Sequence, residues 1–178
     1  MRLKSSLRKI EKEIRVVLDK VSSVKTFRLL KFIVRANRVF VTGQGRSGLV
    51  AEAFAMRLRH LGLDSFIVGE STCPSISKDD LLIAISGSGS TKITMQYVKE
   101  AKSKKFAIVG SKGSKLSRAV DEFVYIPAGS KIHTKSVQPM GTLFEQSCLI
   151  YLDDIVLHLM KILKVSRKDM KRRHTKLE

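Results

Sequence analysis

The stretch Val39-Phe40-Val41-Thr42-Gly43-Gln44-Gly45-Arg46-Ser47-Gly48 decides how this chain reads, together with its echo Leu81-Leu82-Ile83-Ala84-Ile85-Ser86-Gly87-Ser88-Gly89-Ser90-Thr91. Each is an apolar run of strand length, then a tight glycine loop, then a segment with helical character. A strand that turns through glycines into a helix start aims backbone N–H groups and the positive helix end at an anion. Two such loops suggest a phosphorylated ligand. Ser86, Ser88, Ser90 and Thr91, with the backbone of Gly87 and Gly89, supply donors for phosphate oxygens. Arg46 adds a planar donor suited to phosphate or sugar oxygens. The plainer reading is that the glycines only close strand-to-helix turns.

Neither loop is a standard nucleotide fingerprint. Gly43-x-Gly45-x-x-Gly48 fits the dinucleotide pattern by letter, but Asp64 precedes the second strand rather than ending it, and Glu70 comes late. Loop 86–91 lacks the Gly-Lys-Ser/Thr ending of a P-loop.

Working outward, Leu3, Leu7, Ile10, Ile14, Val17 and Val21 recur at intervals of three and four, the apolar stripe of one long amphipathic helix over most of residues 2–36. Its candidate break is Ser22-Ser23. Strands are expected at 39–42, 65–69, 81–85, 106–109 and 123–126, and helices at 48–61, 91–103 and, in short form, 114–119. Gly62 suits a helix C-terminus. A polar loop runs from Pro127 and Gly129 to about Val137. A nearly all-apolar helix follows over about 139–163, and Ser166 to Asp169 reads as the capping box of a last short helix. The alternation predicts an α/β, three-layer α-β-α sandwich on a mainly five-stranded parallel sheet, with long helices at both ends of the chain. All 178 residues form one domain in this reading: leading helix, α/β core over about 38–163, and basic tail over about 166–178. Ligands of such sheets bind at the carboxyl ends of the strands, where both loops fall.

Composition bounds the function. Cys73 and Cys148 have no metal-ligand spacing, and Cys148 reads as buried packing. The charged N-terminus does not resemble a signal peptide, and no apolar run is long enough to span a membrane, so a soluble, cytoplasmic protein is expected. The net charge of +18 is concentrated at the two ends. It could attract nucleic acid, steer an anionic substrate or form a solvated face; with no nucleic-acid module visible, specific nucleic-acid binding is not expected.

Glu145 stands out just inside the last long apolar helix. A carboxylate at an apolar edge can be tuned as a general base, and one near a helix start is also favoured by the dipole; spacing alone does not choose. His60, His133 and His174 are candidates for proton transfer, and a structural role suits each as well. His158, in the apolar helix, reads as packing.

Four segments together carry a family resemblance: Val41-Thr42-Gly43-Gln44-Gly45-Arg46-Ser47-Gly48, Ala53-Phe54-Ala55-Met56-Arg57-Leu58, Ile83-Ala84-Ile85-Ser86-Gly87-Ser88-Gly89 and Pro139-Met140-Gly141-Thr142-Leu143-Phe144-Glu145. The closing Arg172-Arg173-His174-Thr175-Lys176-Leu177-Glu178 adds to them. The chain resembles the sugar isomerase (SIS) domain family along its whole length, and within it the ketose phosphate isomerases. The resemblance implies interconversion of D-arabino-hex-3-ulose 6-phosphate and D-fructose 6-phosphate through a cis-enediol, without metal or other cofactor. It implies Glu145 as base, with His60 and His174 left as candidate helpers on residue type alone. It makes Ser86, Gly87, Ser88, Gly89, Ser90 and Thr91 the phosphate cradle, and sets Ser47 and Arg46 on the sugar. It also implies a homotetramer whose subunits complete one another's sites, and a functional pairing with a hexulose phosphate synthase. The chain departs from the family pattern at Ser90, where glutamate is usual, at Lys92 after it, at Gln44 in place of alanine, and in its basic ends. Three other readings stay open: another phosphosugar isomerase of this fold, a non-catalytic sugar-phosphate sensor, and an RNA-binding use of the basic ends. A sensor of this family carries a separate helix-turn-helix domain, which the leading helix does not resemble.

Overall fold

The computed structural model describes residues 3–128 and 136–176. Two helices, α1 (Leu3–Leu18) and α2 (Ser23–Arg35), lead into β1 (Val39–Thr42) and α3 (Arg46–Leu61). Then come β2 (Ser65–Ile67), β3 (Leu81–Ser86), α4 (Lys92–Glu100), β4 (Lys104–Val109), α5 (Lys115–Arg118) and β5 (Glu122–Tyr125). Two more helices, α6 (Thr142–Ile162) and α7 (Arg167–Arg173), close the chain. All five strands are parallel, in the order β2-β1-β3-β4-β5. The α/β sandwich expected from the sequence is the one observed.

The strands read as unbroken apolar runs because both faces of the sheet are covered, and alternation along each strand sorts side chains between the layers. Val39, Val41, Ile83, Ile85, Phe106 and Ile108 point to one face, under α2, α3 and α6. Phe40, Leu82, Ala84, Ala107 and Val109 point to the other, under α4 and α5. The chain leaves β1 for β2 on one side and then crosses to β3 on the other. The crevice between the carboxyl ends of β1 and β3 is therefore the sheet's switch point, where the covering helices diverge and a ligand has room.

Several boundaries depart from the sequence reading for local reasons. The leading helix is two helices: the chain turns after Leu18, and Ser22 caps α2, its hydroxyl accepting from Lys25 N–H. Strand β2 stops at Ile67 before a left-handed Gly69 (φ 106°). Helix α6 starts three residues later than expected, because Met140 (φ 54°) and Gly141 (φ 84°) are left-handed. Gly62 ends α3 in the left-handed conformation, and Ser166 with Asp169 forms the expected capping box. Cys148 is buried. His158 is not packing: it lies on the exposed face of α6 beside Asp154, while Tyr151, Leu152, Ile155 and Leu159 take the core side. Among the described residues no helix is long and apolar enough to cross a membrane.

Candidate functional site

Both glycine loops open onto the switch point. In the first, a Cβ at Gly43 would stand 2.5 Å from the Ser47 carbonyl oxygen, so only glycine lets β1 turn directly into α3. Gly45 (φ 58°) caps the helix without any side-chain hydrogen bond. The first turn of α3 is thus left open toward the crevice, with Arg46 exposed and Ser47 buried.

The second loop is held from inside. The Ser86 hydroxyl accepts from Gly89 N–H (3.1 Å) and lies 3.2 Å from Thr91 Oγ1. The Ser88 hydroxyl accepts from Ser90 N–H (3.3 Å), and the exposed Ser88 and Ser90 hydroxyls lie 3.3 Å apart. Gly89 (φ 60°) is pressed against Ser114; an added Cβ would stand 2.2 Å from that hydroxyl. The Gly89 carbonyl accepts from Leu116 N–H, so α5 clamps the loop from behind. Thr91 opens α4 with no side-chain cap, a second bare helix start facing the crevice. Lys92, the first residue of α4, is exposed.

Glu145 arrives from across the chain. It is the fourth residue of α6 and only 5% exposed, so it is not a solvated helix-start glutamate. Its position follows from its neighbour Phe144, whose ring sits where Cβ atoms of Gly87 and Gly110 would be, 3.0 Å from each. Burying that ring contributes about 2–3 kcal/mol and locks the start of α6 onto the loops after β3 and β4. Glu145 Oε2 then accepts from Arg46 Nε at 2.9 Å. A carboxylate, a guanidinium and a hydroxyl-lined loop beside two bare helix starts can bind a phosphate, hold a sugar and take a proton next to a carbonyl.

The histidines lie elsewhere. His60 is buried near the far end of α3, fourteen residues beyond Arg46, or about 21 Å along the helix axis. Its ring stacks on that of His174, with centroids 5.1 Å apart. Arg173 crosses between the two helices, donating to the His60 carbonyl (3.2 Å) and covering Gly62. Arg57, Lys171 and Arg172 join the two rings around a cavity of about 870 Å³. Within one chain this basic cavity and Glu145 are at opposite ends of α3. His133 lies outside the described residues, as does the end of the C-terminal segment.

Gly110, Ser114 and Phe144 shape the loops and were not singled out from sequence. Gly110 had a signal, since it directly follows β4 as Gly43 follows β1. Phe144 was visible only as part of the 139–145 segment that carries the resemblance, and Ser114 had no signal of its own.

The family model of the SIS domain matches residues 32–150. A protein of Methanocaldococcus jannaschii named 3-hexulose-6-phosphate isomerase is 41% identical over 152 residues, spanning 84% of this chain and 82% of that one. A protein of the same name from Bacillus subtilis is 35% identical over 165 residues, 89% of each chain. A crystal structure from Methanococcus jannaschii, for which a 3-hexulose-6-phosphate isomerase function was inferred, superposes with a TM-score of 0.87 at 36% identity, over 98% of this chain and 99% of that one.

Proposed function

The chain belongs to the SIS domain family, and from that membership and the site's geometry we propose that it is an isomerase interconverting D-arabino-hex-3-ulose 6-phosphate and D-fructose 6-phosphate. The observation that carries the reading is the buried Glu145 carboxylate, 2.9 Å from Arg46 Nε and set against the 86–91 loop through Phe144.

In the proposed reaction the phosphate sits in the 86–91 loop on the bare start of α4. Glu145 removes the proton from C2 of the hexulose as the C3 carbonyl oxygen becomes the enediolate oxygen; the O2 hydroxyl proton passes to the adjacent O3, and Glu145 returns its proton to C3 as the carbonyl re-forms at C2. A single base on one face suffices for a cis-enediol. Arg46 aims the carboxylate and neutralises charge on the two oxygens, and Ser47 hydrogen-bonds the sugar. His60 and His174 serve the site of a neighbouring subunit in a homotetramer. Apolar side chains left exposed on the single chain, among them Phe27 and Leu157 on one side and Leu49 and Met56 on another, suit such an assembly. The enzyme acts in the cytoplasm, alongside a synthase that makes or consumes the hexulose phosphate.

The direct test is fructose 6-phosphate formation from hex-3-ulose 6-phosphate by the wild type and Glu145→Gln. Turnover lost in the variant with phosphosugar binding retained supports the assignment and the base. Tight binding without turnover by the wild type would instead identify a sensor.

A further inference from the structure

One half-buried network outside the site leads directly into it. Glu13, on α1, accepts three hydrogen bonds from three consecutive residues more than 120 positions away. Oε2 accepts from Ser136 Oγ (2.7 Å) and Gln138 Nε2 (3.0 Å), and Oε1 accepts from Val137 N–H (2.9 Å). The Ser136 hydroxyl in turn accepts from Gln138 N–H (3.0 Å), so the carboxylate gathers the whole turn around itself. Desolvation pushes the Glu13 carboxyl up, but the hydrogen bonds from Gln138, Ser136 and Val137 outweigh it and hold it below the ordinary range.

This turn leads directly into the site. Gln138 is joined to Pro139, then Met140 and Gly141, both left-handed, and then the first turn of α6 with Glu145. A left-handed methionine is a strained backbone conformation that persists only where its flanks are fixed. On the downstream side, Thr142 N–H and its hydroxyl both bond the Pro139 carbonyl (3.0 and 2.6 Å). On the upstream side, Glu13 anchors the turn through its side chain. Helix α1 packs along α6, so the carboxylate and the turn it holds ride on the same pair of helices.

We infer that Glu13 is a positioning residue for the isomerisation: its carboxylate fixes the 136–141 segment that sets the strained lead-in to α6 and so the wall of the site beside Glu145. The inference rests on the isomerase reading of that site. It assigns α1 a part in the chemistry through a residue that touches no substrate.

The test compares wild type, Glu13→Ala, Glu13→Gln, Gln138→Ala and the double variant Glu13→Ala/Gln138→Ala, each first shown to be folded at the assay temperature. Misplacing a catalytic wall by about 1 Å can cost up to about a hundredfold, so Glu13→Ala should lose about tenfold or more in kcat. Glu13→Gln, which keeps an acceptor oxygen, should recover much of that loss. The double variant should be no slower than Glu13→Ala alone, because both act through one turn. Unchanged kcat in folded Glu13→Ala overturns the inference, and so do losses that simply add in the double variant. If the wild type binds fructose 6-phosphate without turnover, the isomerase reading fails by itself. The same variants are then read by affinity for that ligand: loss in Glu13→Ala restored in Glu13→Gln upholds the positioning role, and unchanged affinity overturns it.

Discussion

Arg46 Nε donates to Glu145 Oε2 at 2.9 Å, tying the first residue of α3 to the fourth of α6 across ninety-nine positions of sequence. The guanidinium is more than half exposed and the carboxylate is buried, so the pair presents its charged edge to the crevice rather than to the core. Replacing the carboxylate with an amide keeps the shape and a hydrogen-bonding oxygen but removes the proposed base. Glu145→Gln should lower kcat by about a thousandfold or more while leaving phosphosugar affinity within a few-fold, checked by steady-state kinetics and calorimetry.

Arg46→Lys preserves the charge and loses the planar fork. Turnover should fall by about ten- to a hundredfold, more than binding does, because lysine neutralises charge without fixing the Glu145 carboxylate. Equal losses in kcat and affinity would show that Arg46 only binds.

Gly89→Ala tests the proposed phosphate loop. The added methyl would meet Ser114 at 2.2 Å on a backbone already left-handed, so the loop must leave its clamp under α5. Affinity for fructose 6-phosphate should drop at least about tenfold, with a loss of about 1–2 kcal/mol in stability from the backbone conformation alone. Inorganic phosphate binding, followed by calorimetry, should weaken in parallel.

Glu122 gives a prediction on acid stability. The carboxylate is buried at the start of β5, where Lys25 Nζ (2.5 Å) and the Arg28 guanidinium both reach it from α2. Desolvation pushes its pKa up, but the Lys25 and Arg28 contacts and the Phe123 N–H outweigh it and hold the group at about 2 instead of 4.5. A depressed folded-state pKa means that the stabilisation is fully present above the unfolded value and is lost as pH falls from about 4.5 toward 2. Glu122→Gln should therefore unfold more easily at neutral pH, and its stability should vary less with pH over that window than the wild type's, as read by denaturant titration.

The two histidines call for a mixing experiment. If the proposed homotetramer completes its sites between subunits, Glu145→Gln and His174→Ala should each be nearly inactive on their own. When the two are unfolded together and reassembled, turnover should reappear in hybrids where an intact His174 faces an intact Glu145 on another subunit. Hybrids without activity would confine catalysis to groups within one chain.

Much of this was legible because strands, turns and caps are local. The runs ending at Thr42 and Ser86 had to be buried strands, the glycines after them had to turn, and the hydroxyls of loop 86–91 pointed to an anion. Ser166 and Asp169 announced their capping box within four residues. What was not legible depends on distance. Nothing near Glu145 says that Arg46 will meet it, and nothing near Glu13 says that Ser136, Val137 and Gln138 will close on it. His158 misled because an apolar helix was treated as apolar all round, whereas α6 keeps one face in water. The split between α1 and α2 was foreshadowed by Ser22-Ser23, but the amphipathic stripe runs through it and suggests continuity.

Helix α3 carries Arg46 at one end and His60 at the other, so it works as a ruler as well as a scaffold. Each residue of an α-helix adds about 1.5 Å and about a hundred degrees of rotation. Deleting a single mid-helix residue would leave both side chains present and both local sequences intact, yet would swing His60 away from His174 and shorten its reach toward any neighbour. On the proposed assignment the residue count between the two ends of α3 is itself a specification of the site, and a length change there should be tolerated less well than almost any exposed substitution along the same helix.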